Sequence, residues 1–369
     1  MNINGSLSAF VFRPPGILST SVALEAKPRL KPVDAFQNQE MIRLAQGIDP
    51  NAIDPEKLLD EYPAELIFFF SLENAYFLVG PEMDGVILTD DRHLISESTY
   101  YCLKPDTIAS KVPNTPAVQM DEVFIAFDPL WMRYDHWMGY NLSKAFLANE
   151  SIPKEVPIVM PKYRPSQHDN FNAISEERYE ESLEKAGLDK RITRLEDGIY
   201  QAKKLYFFWP TSYYPHYYYN FKNASDVFKH LKKELKYNNK LPPRFYIEPD
   251  EKNFILTEDE KKVINATLND LNVTPVRLDK MDWQSQISLF SQAELIICTH
   301  QPELINLFFC LQEAEILELT RSFGDKTYLE AWPYMISSLR KLSYSFLDLD
   351  WTKLTPNVLK EAVKRLDIL

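Results

Sequence analysis

The chain has 369 residues, of which 45% are hydrophobic and 25% charged, and its formal net charge is −12. This composition is typical of a soluble globular protein with room for two domains, and it excludes a disordered chain. The negative charge argues against nucleic acid as the main partner, because duplex binding requires a concentrated positive surface. The few glycines form neither the dinucleotide fingerprint nor the P-loop, which disfavours kinases, ATPases and ordinary dehydrogenases.

The cysteines and the N-terminus predict where the protein works. The three cysteines form no CxxC pair, which favours a reducing compartment. Residues 1–20 lack the basic start and apolar run of a secretory signal, and no apolar run reaches the roughly 20 residues needed to cross a bilayer. We therefore predict a cytoplasmic protein.

The first part of the chain, residues 1–120, is predicted to be a β-rich lead-in joined to the first lobe. Residues 66–70, 75–79 and 86–89 have strand-like apolar runs, and residues 80–85 have turn chemistry. In residues 121–205, strands at 123–127 and 156–160 alternate with helices at 136–147 and 176–186. This alternation predicts a first α/β lobe.

An aromatic and basic segment, residues 206–240, separates two α/β blocks. Tyr213, Tyr214 and His216 could hold a sugar, since aromatic faces stack on the C–H faces of sugar rings; packing between lobes is the equal alternative. Lys229, Lys232 and neighbouring lysines form the basic face of a helix. Such a face suits peripheral contact with an anionic membrane, although a solvated surface is the commoner explanation.

The second block, residues 241–345, again alternates strands and helices, and residues 346–369 contain a final amphipathic helix. Strands are predicted at 244–247, 273–278, 293–298 and 314–319, and helices at 258–271 and 283–293. The fold class predicted is α/β with two Rossmann-like lobes and a central cleft, in which ligands bind at the carboxyl ends of strands.

His300 follows a predicted buried strand, and Pro302 begins a predicted helix that contains Asn306. Strand, tight loop and helix can direct backbone N–H groups at an anionic ligand. His300 would then touch a sugar or phosphate, and Asn306 would fix the helix. A polar strand terminus satisfied by local hydrogen bonds is the alternative.

Asp135, His136 and Trp137 begin the helix after strand 123–127. His136 could take a proton from an acceptor hydroxyl, with Asp135 orienting it or acting as the base itself. The alternative is an N-cap aspartate followed by a packed His–Trp pair. Asp348 and Asp350 have DxD spacing but lie in a predicted connector, so no metal site is predicted.

The order of these motifs resembles the family 61 glycosyltransferases. Residues 85–98 are similar to that family's "G-x-hydrophobic-x-T-x-D-x-x-L-hydrophobic-x-E-S", His136-Trp137 matches "HW", and residues 244–247 resemble the start of "R-x-Y-I-S-R". Residues 286–293 are similar to "Q-I-x-L-F-x-x-A", residues 300–306 align with "H-G-A-x-L-x-N", and Glu318 falls on the Glu of "V-I-E-L". The resemblance covers residues 76–346.

Five positions in three motifs depart from the family pattern. Gln301 and Pro302 replace the glycine and alanine of "HGA", Glu248 and Pro249 follow the strand where the family has Ser and Arg, and Lys144 stands for an arginine. The loss of a close backbone approach and the added carboxylate should weaken phosphate binding.

The resemblance implies a GT-B-like, inverting, metal-independent glycosyltransferase without a cofactor. It would move a sugar from a nucleotide-sugar donor to a hydroxyl of a growing capsule or lipopolysaccharide glycan, in the cytoplasm, either free or peripheral to the inner membrane. The residues implied for the donor are His300, Asn306, Glu318 (on the ribose), Lys252 and Arg321. Those implied for the acceptor side are Asp135 or His136 as base, with Trp137, Tyr213, Tyr214 and His216. The alternative is a non-catalytic relative that binds glycans or scaffolds an assembly.

Overall fold

A computed structural model gives the fold of most of the chain. The structure describes residues 21–24, 67–81, 83–90, 94–95, 98, 117–164, 173–210, 221–233, 240–249, 256–311, 313–321, 333, 336–337, 340, 342–349 and 353–366. The described residues divide into two compact units, with unit 1 ending at Val227 and unit 2 beginning at Phe228.

Unit 1 contains a mixed sheet. Its strands are β1 (Ser21–Leu24), β2 (Ile67–Val79), β3 (Ile87–Leu88), β4 (Val118–Ile125), β5 (Ile158–Pro161), β6 (Ile192–Leu195) and β7 (Gly198–Pro210). The order is β1-β2-β7-β4-β5-β6, with β3 beside β2. Strand β4 runs parallel to both β5 and β7, whereas β2 pairs antiparallel with β7. The parallel half carries the crossover helices of an α/β fold.

A continuous helical stretch follows β4 and changes type twice. It consists of α1 (Tyr134–His136), a π-helical segment (Trp137–Asn141) and α2 (Leu142–Ser151). After β5 comes α3 (Glu176–Lys185), which begins where the Ser175 hydroxyl accepts a hydrogen bond from the Arg178 N–H at 3.2 Å. The π segment begins immediately after His136, and such segments are frequent at functional sites.

Unit 2 contains an all-parallel sheet. Its strands are β8 (Arg244–Ile247), β9 (Thr274–Val276), β10 (Leu295–Thr299), β11 (Glu315–Thr320) and β12 (Ser343–Asp348). They lie in the order β12-β11-β10-β8-β9. In chain order, β8 is the first strand of this unit, and it lies between the second, β9, and the third, β10. This is the doubly wound order 2-1-3-4-5. The strand order reverses between β8 and β10.

Helices cover both faces of this sheet. The elements are α4 (Phe221–Lys233, which starts in unit 1), α5 (Glu258–Leu268), α6 (Trp283–Ser291), α7 (Pro356–Leu366) and two 3-10 helices (Leu278–Lys280, Pro302–Phe309). On one face, Ile297 and Leu317 join a core with α5 and α7. On the other, Phe245 packs edge-on against Phe290 of α6, with ring centroids 5.7 Å apart. These parallel sheets and helices confirm the predicted α/β class.

The structure corrects three local predictions. Residues 67–70 and the run 75–79 belong to one strand, because β7 pairs with β2 on both sides of Asn74, whose φ is positive. The segment after Pro302 is a 3-10 helix, in which the Leu304 N–H donates to the Gln301 carbonyl. Asp348, predicted in a connector, ends strand β12. Asp350 lies outside the described residues.

Candidate functional site

His300 lies at the point where the strand order of unit 2 reverses. It directly follows β10, while Glu248 directly follows the neighbouring strand β8. Connections leaving these two strands go to opposite sides, which opens a crevice at the carboxyl edge of a doubly wound sheet. The loop predicted from the sequence to bind a ligand is therefore at the topological switch point.

A buried carboxylate holds the ring of His300. The Nδ1 atom of His300 lies 3.0 Å from Oε1 of Glu318, and the hydroxyl of Tyr344 donates to Oε2 of Glu318 at 2.6 Å. The three residues come from or directly follow the adjacent strands β10, β11 and β12. Glu318 is 2% exposed, whereas the His300 side chain retains 26%. A buried carboxylate thus contacts an imidazole that is partly exposed to solvent.

Gln301 and Pro302, the departures from the family motif, form the start of the 3-10 helix. Pro302 supplies no N–H group at this helix start. Gln301 is 4% exposed, and its Nε2 atom has no hydrogen-bond partner among the described residues. A buried unsatisfied amide costs about 1–3 kcal/mol, so a ligand that accepts from it would remove that penalty.

Asn306 fixes the same helix to its neighbour. It is fully buried, and its Nδ2 donates to Oε1 of Gln286 on α6 at 3.4 Å. Gln286 in turn donates to the carbonyl of Leu278 at 2.6 Å. The two family-motif residues Asn306 and Gln286 therefore join helices behind His300.

Of the two cations predicted near a donor phosphate, Arg321 is described and Lys252 lies outside the described residues. Arg321 follows β11 and forms an ion pair with Glu260 in the first turn of α5. Although burial opposes it, the backbone and hydroxyl of Thr257 and the Arg321 guanidinium lower the pKa of Glu260. Arg321 is thus positioned beside a carboxylate.

His136, the predicted base, is buried in unit 1 among four charged groups. It is 7% exposed, and burial lowers the pKa of its imidazole. Asp135 and Asp128 act in the opposite direction, while Arg133 and Lys144 add to the lowering. The imidazole is therefore neutral at physiological pH, which is the form that can accept a proton.

The four charges form two ion pairs. Both carboxylate oxygens of Asp135 accept from Arg133, at 3.3 and 3.1 Å. Lys144 lies 3.3 Å from Asp128, and its ammonium is 4.2 Å from the centroid of the Tyr140 ring. Burial lowers the pKa of Lys144, and Asp128 counteracts this. Opposite charges thus balance around His136.

Trp137 packs in the core of unit 1. It has no exposed surface, and its indole N–H donates to the Ser182 hydroxyl at 2.8 Å. Its ring centroid lies 4.7 Å from that of Tyr179 and 6.3 Å from that of Trp131. This packing corresponds to the alternative considered for the His–Trp pair. The predicted acceptor contact of Trp137 stays a prediction.

The β2–β3 turn contacts the polypeptide at the end of β4. Asp84 accepts from the Trp131 indole N–H at 2.6 Å and pairs with Arg164. Gly85 has a φ of 72°, and a Cβ atom there would be 2.3 Å from the Phe127 carbonyl oxygen. The motif glycine thus allows a close approach beside Asp128. Neither Asp84 nor Asp128 was predicted from the sequence, although the turn glycine marks this contact.

The remaining predicted residues either lie outside the described residues or have other partners. Tyr213, Tyr214 and His216 lie outside the described residues. On the basic helix α4, Lys232 donates to the Phe309 carbonyl at 2.9 Å, so its ammonium is engaged within unit 2. Within the described ranges no cluster of three or more His, Cys, Asp or Glu could ligate a metal ion, and no helix is long and apolar enough to span a membrane.

A protein-family comparison matches the model described as glycosyltransferase 61 to residues 119–317. The match covers more than half of the chain and includes both His136 and His300. It ends one residue before Glu318. No curated protein matches the chain.

Proposed function

The chain belongs to glycosyltransferase family 61 and is a glycosyltransferase, and from this we propose that it is an inverting, metal-independent enzyme with the two units as GT-B-like lobes. Its donor would be a nucleotide sugar, and its acceptor a hydroxyl of a growing capsule or lipopolysaccharide glycan. The protein would work in the cytoplasm, peripheral to the inner membrane, without a cofactor. Unit 2 would bind the donor and unit 1 the acceptor.

The position of His300 carries this proposal. It follows β10 where the strand order reverses, and 26% of its side chain is exposed. Nucleotides bind at such switch points in doubly wound sheets. In the donor complex, His300 would contact the donor while Asn306 maintains the helix behind it. Glu318, Arg321 and Lys252 complete the proposed donor residues.

On the acceptor side we propose His136 as the base. Burial lowers the pKa of its imidazole, which keeps it able to accept a proton. Both oxygens of Asp135 accept from Arg133, which supports a role for Asp135 in orienting the base. Trp137 would support His136 by packing, and Tyr213, Tyr214 and His216 would contact the acceptor glycan.

The reaction would be a single displacement. The acceptor oxygen attacks the anomeric carbon, its proton passes to the imidazole of His136, and the bond from that carbon to the diphosphate oxygen breaks with both electrons leaving on the diphosphate. One base opposite the leaving group is sufficient for inversion. Protein cations and backbone N–H groups would stabilise the departing diphosphate.

Calorimetry with UDP-, GDP-, CMP- and dTDP-sugars tests the donor class. We expect one nucleotide family to bind in the presence of EDTA. When an acceptor glycan is added, NMR should show a product whose anomeric configuration is opposite to that of the donor sugar. Folded protein that binds none of these donors would contradict the proposal, and a strict requirement for a divalent cation would contradict its metal-independent part.

Gln301 and Pro302 favour a second candidate, a non-catalytic relative that binds glycans or scaffolds an assembly. Pro302 removes an N–H group where the family motif has alanine, and Gln301 removes the glycine. This candidate predicts glycan binding without binding of any nucleotide sugar. The same calorimetry, extended to capsule and lipopolysaccharide oligosaccharides, separates the two functions.

A further inference from the structure

Three side chains on adjacent strands of unit 2 form a chain of hydrogen bonds that ends at His300. Tyr344 on β12 donates to Glu318 on β11, and Glu318 lies 3.0 Å from Nδ1 of His300 after β10. Tyr344 is 4% exposed and Glu318 2%. In the described part of the chain, no lysine or arginine pairs with this carboxylate.

We propose that Glu318 and Tyr344 are positioning residues for donor binding. They hold His300 in the tautomer that is protonated on Nδ1, so that Nε2 carries the lone pair and accepts a hydrogen bond from a hydroxyl of the donor. This inference rests on the proposed function and adds Tyr344 to its residues. It also makes Glu318 act through His300 instead of touching the ribose itself.

The direction of the hydrogen bonds supports this tautomer. A carboxylate only accepts hydrogen bonds, and Oε2 of Glu318 already accepts from the Tyr344 hydroxyl. Oε1 must therefore receive the proton of Nδ1, and in the neutral form of the ring Nε2 is then the acceptor. A carboxylate that orients a histidine in this way fixes both the plane of the ring and the nitrogen it presents.

Burial supports an indirect role for Glu318. Both of its oxygens accept protein hydrogen bonds, and its side chain is 2% exposed, against 26% for His300. A ligand in the crevice therefore meets the imidazole before it meets the carboxylate. An acceptor nitrogen pairs with a hydroxyl and repels a phosphate oxygen, so the contact is to a ribose or to the transferred sugar.

The tautomer can be measured without any donor. Long-range ¹H–¹⁵N spectra of labelled protein distinguish the two ring nitrogens, and His300→Gln assigns the signal among the six histidines. We expect a proton on Nδ1 in the wild type, and a mixture of tautomers in Glu318→Ala. A proton on Nε2 in the wild type, or an unchanged tautomer in Glu318→Ala, would overturn the inference.

Donor kinetics test the contribution of Tyr344. Tyr344→Phe removes only the hydroxyl that donates to Glu318, and we expect kcat/KM for the donor to fall about 5-fold, the effect of one net hydrogen bond. Tyr246→Phe is the matched control, because Tyr246 is a buried tyrosine of the same sheet in the core on the opposite face. Equal kinetics for the two variants would overturn the role of Tyr344.

Binding of the nucleoside diphosphate alone identifies the hydroxyl. If His300 contacts the ribose, Tyr344→Phe should weaken binding of the nucleoside diphosphate. If His300 contacts the transferred sugar, Tyr344→Phe should weaken binding of the intact nucleotide sugar only. If neither ligand binds less tightly, the donor contact is wrong. If no nucleotide binds the wild type, the proposed function fails, while the tautomer measurement still decides the hydrogen-bond chain.

Discussion

The two units place a histidine in two contrasting electrostatic settings. His136 in unit 1 is 7% exposed and has the ion pairs Asp135–Arg133 and Asp128–Lys144 around it. His300 in unit 2 has a 26% exposed side chain and faces a carboxylate that bonds Tyr344 and no lysine or arginine of the described chain. Balanced charges together with burial keep a proton acceptor neutral, whereas one directed carboxylate selects a tautomer. The difference matches a base in unit 1 and a ligand contact in unit 2.

The largest expected effect comes from removing the base. His136→Ala should lower turnover by about 100- to 10,000-fold, the usual contribution of a positioned general base. Donor affinity should remain nearly unchanged, because the proposed donor residues belong to unit 2. Initial rates and donor calorimetry measure the two quantities separately.

His230→Ala is the control for this prediction, since it removes a histidine from α4 outside the proposed site. If turnover survives in His136→Ala, His136 is not the base, and the contrast between the two histidines has no bearing on catalysis.

Gly85 tests whether the β2–β3 turn supports the unit 1 site. Gly85→Ala should destabilise the protein by about 3 kcal/mol, because it combines a positive φ with a Cβ atom 2.3 Å from the Phe127 carbonyl oxygen. Gly187→Ala is the matched control, with a φ of 69° and no atom within 4 Å of the new Cβ, and it should cost about 1 kcal/mol. Denaturant unfolding measures both; equal losses would show that the close approach does not matter.

The pH dependence of turnover tests the balance of charge around His136. The base acts when deprotonated, and burial lowers the pKa of His136, so activity should persist below the usual titration range of histidine near pH 6.5. Lys144 lowers this pKa and Asp128 raises it. Lys144→Met should therefore move the acidic limb of kcat to higher pH, and Asp128→Asn should move it to lower pH. Shifts in the same direction would refute the balance.

The smallest expected effect concerns Gln301 at the unit 2 site. Gln301→Met removes an amide nitrogen that is buried and finds no hydrogen-bond partner in the described part of the chain, and it should stabilise the ligand-free protein by about 1 kcal/mol. If the amide donates to the bound donor, the same variant should bind the nucleotide sugar less tightly, so its advantage shrinks at saturating donor. Unfolding with and without donor measures this. If Gln301→Met stabilises the protein equally with and without donor, Gln301 does not bind the donor.

Local patterns predicted much of unit 2 and little of the long-range geometry. The apolar run 293–298 predicted β10, and the resemblance brought His300, Asn306 and Glu318 together as one site. The contacts between them depend on the order of strands: Glu318 reaches His300 because β11 lies beside β10, and Tyr344 reaches Glu318 because β12 lies beside β11. No spacing along the chain encodes that adjacency, so Tyr344 was missed.

In unit 1 the sequence predicted the elements better than their environments. The helix containing His136 was expected. The ion pair beside it was not, because Lys144 lies on the helix and Asp128 lies after β4, and folding brings them together. Residue 85 was singled out as a motif glycine, yet the reason for it, a backbone contact with Phe127, exists only in three dimensions. In unit 1 the important residues could be identified from the sequence, but the charged groups that surround them depend on the packing.

The most direct test of the account follows the His300 ring nitrogens by ¹⁵N NMR while UDP-, GDP-, CMP- and dTDP-sugars are added in turn. We expect one nucleotide family to shift the Nε2 signal saturably, while the Nδ1 proton stays in place. Folded protein in which none of these donors perturbs His300 would contradict it.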